Sequence, residues 1–214
     1  MRRPESESFL LLEKIREQVT LARHLVALVP SSELEWRPPV LTRSPADRHS
    51  GPGQPANVTS EIAESATPAE STDQATSDYN GLLRVGDLLG HLLDCVAGFC
   101  ALLYSVNKSR LSHFERLRGM PVNHFCGIEE ARSRLDEYMA YIEEGFACLE
   151  DPDLCKLIPT VFVPEGEPVL TLLLGNLEHL INHKFQLFIY LRLLGVNAGT
   201  KDLYRIRGAA PPGE

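Results

Sequence analysis

The sequence predicts an all-α protein, a four-helix bundle with a long flexible insertion between helices 1 and 2. Three observations carry that prediction. Apolar residues recur at steps of three and four in several long segments, the period of a helix rather than a strand. One of those segments is apolar on most sides, as a helix surrounded by other helices is. A polar stretch separates the first segment from the rest and has too few large apolar residues to form a core of its own.

The first helix is expected from about Phe9 to Val29. Leu12, Ile15, Val19, Ala22, Val26 and Val29 form one continuous seam, and Pro30 stops it. From 43 to 80 the chain is dominated by Ser, Thr, Ala, Pro, Asp and Glu, with only Val58, Ile62 and Tyr79 as large apolar residues. This segment cannot bury enough surface to offset its ordering entropy. It is expected to be a disordered insertion, with a weak helical turn near Ser60 to Ala66. A segment that folds on a partner is the alternative.

The second helix is expected from about Leu82 to Val106 and is rich in Leu, with Asp87 and His91 standing out within it. The next runs from about Ile128 to Leu149. Ile128, Leu135, Ile142 and Leu149 recur every seven residues, with Ala131, Tyr138 and Gly145 as a companion row. Asp151-Pro152 ends it. Val161-Phe162-Val163, between Pro159 and Pro164, reads as an irregular connection without a sheet. The last helix starts near Pro168, suited to a first helical position, and runs to Leu194, where Gly195 suits the position just past the end. Residues 200–214 read as a flexible tail. The whole, 1–214, is expected to be one domain.

Composition narrows the function. The chain has 214 residues and a formal charge of −8, half of it within 43–80. No basic run occurs, and phosphate binding needs clustered Lys and Arg, so nucleic acid is not expected as a partner. No apolar run reads as the roughly 20 residues that span a membrane. Phe9 to Leu12 is too short for a signal-peptide core. Five cysteines without paired spacing fit free thiols in a reducing compartment. A cytoplasmic protein without a membrane partner is therefore expected.

The chemistry concentrates on the last helix. His179 and His183 are four residues apart, so their imidazoles stack on one helix face and can ligate one ion. Asn176, His179, His183, Gln186 and Tyr190 form one narrow stripe, whereas Glu178, Lys184 and Arg192 lie broadly opposite. Charges mark the solvent side on this reading, so the stripe points inward. An inward polar stripe is unfavourable unless satisfied, either by a metal or by a hydrogen-bonded polar core. His91 is the best third ligand, because an unpartnered imidazole in an apolar helix is unfavourable. Asp87 and Cys95, one turn to either side, are an outer partner or an extra ligand, with Cys95 read first as a small core residue. His24, His49, His113 and His124 receive no site role.

At these residues the sequence resembles the DinB/YfiT-like superfamily of metal-dependent helical bundles. Asn176 to Leu187, followed by Leu191-Arg192-Leu193-Leu194-Gly195, is similar to that family's final helix. Leu88-Leu89-Gly90-His91-Leu92-Leu93 is similar to its second, and Leu34-Glu35-Trp36-Arg37-Pro38 to the segment after its first. Phe185 stands where the family often has Gly, which predicts altered packing beside the site, and the insertion is longer than usual.

The resemblance implies a divalent metal, Zn²⁺ or Ni²⁺, held by His91, His179 and His183 with solvent in the remaining positions. It further implies a thiol-dependent S-transferase acting on a small molecule with a low-molecular-weight thiol, or a metal-dependent hydrolase. No general base can be named. The alternative is a non-catalytic bundle acting through a partner or by dimerisation. The apolar character of the last helix on several faces permits an interface, and a homodimer is expected.

Overall fold

The structure is a computed structural model and describes residues 6–39 and 82–204. The chain divides into a compact unit of 1–37 with 83–214, and a second unit, 38–82. Nearly all of the second lies outside the described residues, as do the expected insertion, the turn near Ser60 and His49.

The compact unit is mostly helical. Its long helices are α1 (Glu7–Ala27), α2 (Val85–Val106), α3 (Ile128–Ala147) and α4 (Val169–Leu193). Helix α1 packs against α3 and α4, and α2 packs against the same two, giving a bundle-like ring of contacts. Each of the seams read from spacing lies in the core. Leu12, Ile15, Val19, Ala22, Val26 and Val29 of the first are buried, as are Leu135, Ile142 and Leu149 of the seven-residue repeat.

Three helix ends are closed by specific partners. Ser6 caps α1 by accepting from the Phe9 N–H at 3.2 Å, and Asp151 accepts from Glu7 N–H and Ser8 N–H at 3.3 and 3.0 Å. The N-terminus of α2 is closed by backbone instead. Val85 N–H donates to Trp36 O at 3.0 Å and Gly86 N–H to Leu34 O at 2.8 Å, so the segment after α1 folds onto α2. At the far end of α4, Gly195 has φ +78°. Its N–H donates to Arg192 O and that of Val196 to Leu191 O, the paired bonds that end a helix through a left-handed residue.

Three expectations need correction. Leu157–Ile158 (β1) and Glu167–Pro168 (β2) pair antiparallel, so the connection before α4 carries a minimal hairpin. Its tip, Val161 and Phe162, is about nine-tenths exposed, which an apolar composition alone did not announce. Residues Thr200–Leu203 form a short helix, α5, with Asp202 and Leu203 buried. Asp202 accepts from or pairs with His24 at 2.9 Å, tying α5 to α1, so this part of the expected tail is docked. Finally, α2 is long and apolar enough to cross a membrane by length and composition. Here its apolar character follows from its central position, with faces turned to both α3 and α4.

Candidate metal centre

His91 lies on α2, and His179 and His183 lie one turn apart on α4. The packing of α2 on α4 brings the three together. His91 Nε2 is 3.2 Å from His179 Nε2 and 3.1 Å from His183 Nε2. The ring centroids of His179 and His183 are 4.7 Å apart. Two imidazole nitrogens about 2.1 Å from one ion stand roughly 3.0 to 3.4 Å apart at ordinary coordination angles. All three residues are half-buried.

Two side-chain amides set which ring nitrogens face inward. Tyr190 OH donates to Leu83 O at 3.1 Å, so it accepts from Gln186 Nε2 at 3.0 Å. That fixes the Gln186 oxygen toward His183 Nδ1, 2.9 Å away, which must carry the hydrogen. Trp36 packs edge-on to Tyr190 at 5.5 Å, so the segment after α1 buttresses this chain. On the other side, His91 Nδ1 donates to Asn123 Oδ1 at 2.6 Å. Both Nε2 atoms are then acceptors, and two acceptors 3.1 Å apart need a cation or a proton between them. Burial, together with the neighbouring rings, lowers the pKa of both His179 and His183. Asp94 partly offsets this at His179, and the Gln186 bond at His183. The neutral, ligating form is favoured at both.

Asn123 reaches His91 because α2 has glycine at two positions four apart. Asn123 N–H donates to Gly90 O at 3.1 Å and Cys126 N–H to Gly86 O at 3.0 Å. A Cβ on Gly90 would stand 1.8 Å from His124 O, so the loop lies directly on the helix backbone. Asn123 itself has φ +55°, a left-handed conformation that Asn tolerates better than most residues. Buried Arg134 holds the loop from the α3 side by donating to Pro121 O and Tyr138 OH. Sequence reasoning missed Asn123; the Gly86-x-x-x-Gly90 pair beside His91 was the available signal.

The residues flanking His91 divide. Asp87 is taken by Arg84, which donates to its two oxygens at 2.7 and 2.9 Å, and does not serve His91. The donor atom of Cys95, by contrast, lies within 4.8 Å of those of His91 and His179. Cys95 is buried, and that burial, with Asp94 adding to it, pushes its thiol up to about 12.

On α4 the face assignment needs two corrections. Glu178 and Arg192 are exposed, but Lys184 is buried, with Nζ donating to Gln18 Oε1 at 2.6 Å and Leu203 O at 3.0 Å. The long apolar stem lets a lysine occupy an inner position when its end finds acceptors. Phe185 is 46% exposed with its ring against Phe188, about 200° round the helix from His183. It therefore does not shape the site's packing.

A second group, His124, Cys126 and Glu130, also brings three donor atoms within 4.8 Å. Its geometry is that of an ion pair. Glu130 accepts from His124 Nε2 at 2.9 Å and from Arg134 at 3.4 Å. Burial alone would raise the Glu130 pKa, but these partners and Cys126 hold it below the ordinary value. The guanidinium beside the carboxylate disfavours a further cation. A cavity of about 300 Å³ between α2 and the 112–119 segment is lined by Cys100, Tyr104, Lys108 and Phe114 and includes none of the three histidines.

Comparison with protein-family models, with curated proteins and with solved structures finds no match.

Proposed function

We propose that this chain is a DinB/YfiT-like metal-dependent protein that binds one divalent cation through His91, His179 and His183. The observation that supports this reading is the convergence of three Nε2 atoms, two of them fixed as acceptors by amides on the opposite ring nitrogen. Burial and the neighbouring rings lower the pKa of His179 and His183, which disfavours a proton on either ring. Zn²⁺ or Ni²⁺ suits imidazole donors. A divalent ion there would act as a Lewis acid, lowering the pKa of a coordinated water or thiol.

The chain's own residues have distinct parts in this scheme. Asn123 and Gln186 orient two of the rings and raise their basicity by accepting their Nδ1 hydrogens. Tyr190 holds Gln186 in the one orientation that serves His183. The half-exposed edge of the cluster is where a small molecule would approach. A thiol-dependent transferase using a low-molecular-weight thiol, or a metal-dependent hydrolase, is the class of activity this arrangement fits.

The test is metal content of untagged protein, in wild type and in His91→Ala, His179→Ala and His183→Ala. One ion per chain in wild type and loss in each variant supports the proposal. Wild type that stays metal-free after incubation with Zn²⁺, Ni²⁺ and Mn²⁺ rejects it.

One observation favours a second, non-catalytic role. Helix α4 exposes Leu174, Phe185, Ile189 and Leu193, more apolar surface than a helix needs for the core it covers. A homodimer through α4 would bury it, and sedimentation of wild type against Phe185→Glu reads that association directly.

A further inference from the structure

We propose that Cys95 Sγ is the fourth ligand of this centre, so that the resting site is a closed cage of three nitrogens and one sulfur. The inference rests on the metal reading above and makes it more specific. It starts from spacing. His91 and Cys95 are four apart on α2, and His179 and His183 are four apart on α4. Each pair projects from one helix face and the two helices pack together, so Cys95 meets His179 across the pair and His91 meets both α4 histidines. The donor atoms of His91, Cys95 and His179 lie within 4.8 Å of one another, and His183 Nε2 lies 3.1 Å from His91 Nε2.

Depth separates the sulfur from the nitrogens. The histidines are half-buried, whereas Cys95 is 2% exposed, so it closes the core side of the site, where water has least access. An ion open on that side would face apolar packing without a ligand, which is unfavourable. The other buried thiols are already engaged. Cys100 donates to Tyr138 O at 3.7 Å and Cys126 to Gly127 O at 3.4 Å. Among the described residues, the Cys95 thiol makes no hydrogen bond to another residue, whereas its backbone belongs to the α2 ladder, and this leaves the sulfur lone pairs available.

The step is a ligand exchange without redox change. The Cys95 S–H bond would break heterolytically, its proton going to buffer, and the sulfur pair would form the bond to the ion in place of a water, which leaves to solvent. A thiolate selects a borderline-soft ion such as Zn²⁺ over Mg²⁺ or Mn²⁺. A cage with four protein ligands is the pattern of a structural centre, so the chemistry proposed above would need a fifth position at the half-exposed edge or the loss of one protein ligand.

Cobalt tests this on the full-length, untagged chain. Wild type loaded with Co²⁺ is expected to bind one ion and show the near-ultraviolet thiolate-to-cobalt charge-transfer band with the visible intensity of tetrahedral cobalt. Cys95→Ser and Cys95→Ala should keep one ion but lose the band. Their Zn²⁺ affinity should fall by at least the roughly 10- to 100-fold that loss of an outer-shell partner costs. Cys126→Ser should keep the band. Wild type that binds one Co²⁺ without the band, or a band that survives in both Cys95 variants, overturns the fourth ligand while leaving the histidine centre standing. Wild type that binds no Co²⁺ overturns the histidine centre, and the cage with it.

Discussion

Asn123 accepts a 2.6 Å hydrogen bond from His91 Nδ1, although the two residues are 32 apart in sequence, with the rest of α2 and the 112–119 segment between them. The bond leaves His91 Nε2 as an acceptor facing the α4 histidines. Removing it should loosen the ring without removing a ligand. Asn123→Gly keeps the left-handed backbone and deletes the amide, and should weaken Zn²⁺ binding by roughly 10- to 100-fold with stoichiometry unchanged. Asn123→Asp keeps an acceptor and should bind at least as tightly as wild type. Competition against a chromophoric chelator measures both; an Asn123→Gly affinity equal to wild type would show that the bond does not orient the ligand.

The two α2 glycines should respond differently to the same substitution. In Gly90→Ala the new methyl meets the His124 carbonyl oxygen at 1.8 Å, which is backbone and can yield only if the loop lifts. In Gly86→Ala it meets the ring of Phe125 at 2.5 Å, a half-exposed side chain free to swing away. Gly90→Ala should lose about 1–3 kcal/mol or more in urea unfolding and, with Asn123 displaced, metal affinity as well. Gly86→Ala should lose less stability and keep its metal. Equal losses in the two variants would refute the docking argument.

Metal removal should lower thermal stability. An ion bound only by the folded state at 100 times its Kd adds about 2.7 kcal/mol, which for a chain of this size is roughly 5–10 °C in Tm. Differential scanning calorimetry with and without chelator should show that difference in wild type. It should vanish in the double variant His179→Ala/His183→Ala.

Lys184 gives the protein an alkaline signature. Burial lowers its pKa from the ordinary 10.5 to about 8, with Lys14 adding to the effect. Between these two values the unfolded chain holds the proton and the folded chain does not, so stability should rise as pH goes from about 8 to 10.5. Below pH 8 both states hold it and the contribution is flat. Lys184→Met removes this titration, so the wild-type-minus-variant difference in unfolding free energy isolates it. A difference that falls across that range would show that the ammonium is stabilised in place by Gln18 Oε1 and Leu203 O.

The helices were legible because burial in a bundle imposes a period, and that period is written in Leu, Ile and Val. The spacing of His179 and His183 was legible for the same reason, and His91 because an imidazole inside a leucine-rich helix needs a partner. Lys184 was misread since charge was taken to mean solvent, whereas its four methylenes reach past the core to acceptors supplied by Gln18 and α5. Asn123 was invisible because it sits on an irregular connection whose path is fixed by the absence of side chains at Gly86 and Gly90. Phe185 drew notice for occupying an unusual position, but two residues along a helix from His183 is the far side. The hairpin of β1 and β2 is too short to show alternation.

The meeting of His91 with His179 and His183 also bears on how α2 and α4 find their alignment. Both helices carry leucine on more than one face, so leucine-on-leucine contact is common to alignments one turn, about 5.4 Å, apart. The imidazoles distinguish these alignments, since a one-turn slip parts His91 from both partners and leaves Asn123 and Gln186 orienting rings that face nothing. The polar cluster thus adds a register-specific contact to the apolar packing of α2 on α4, as a lone polar residue does in the seam of a coiled coil.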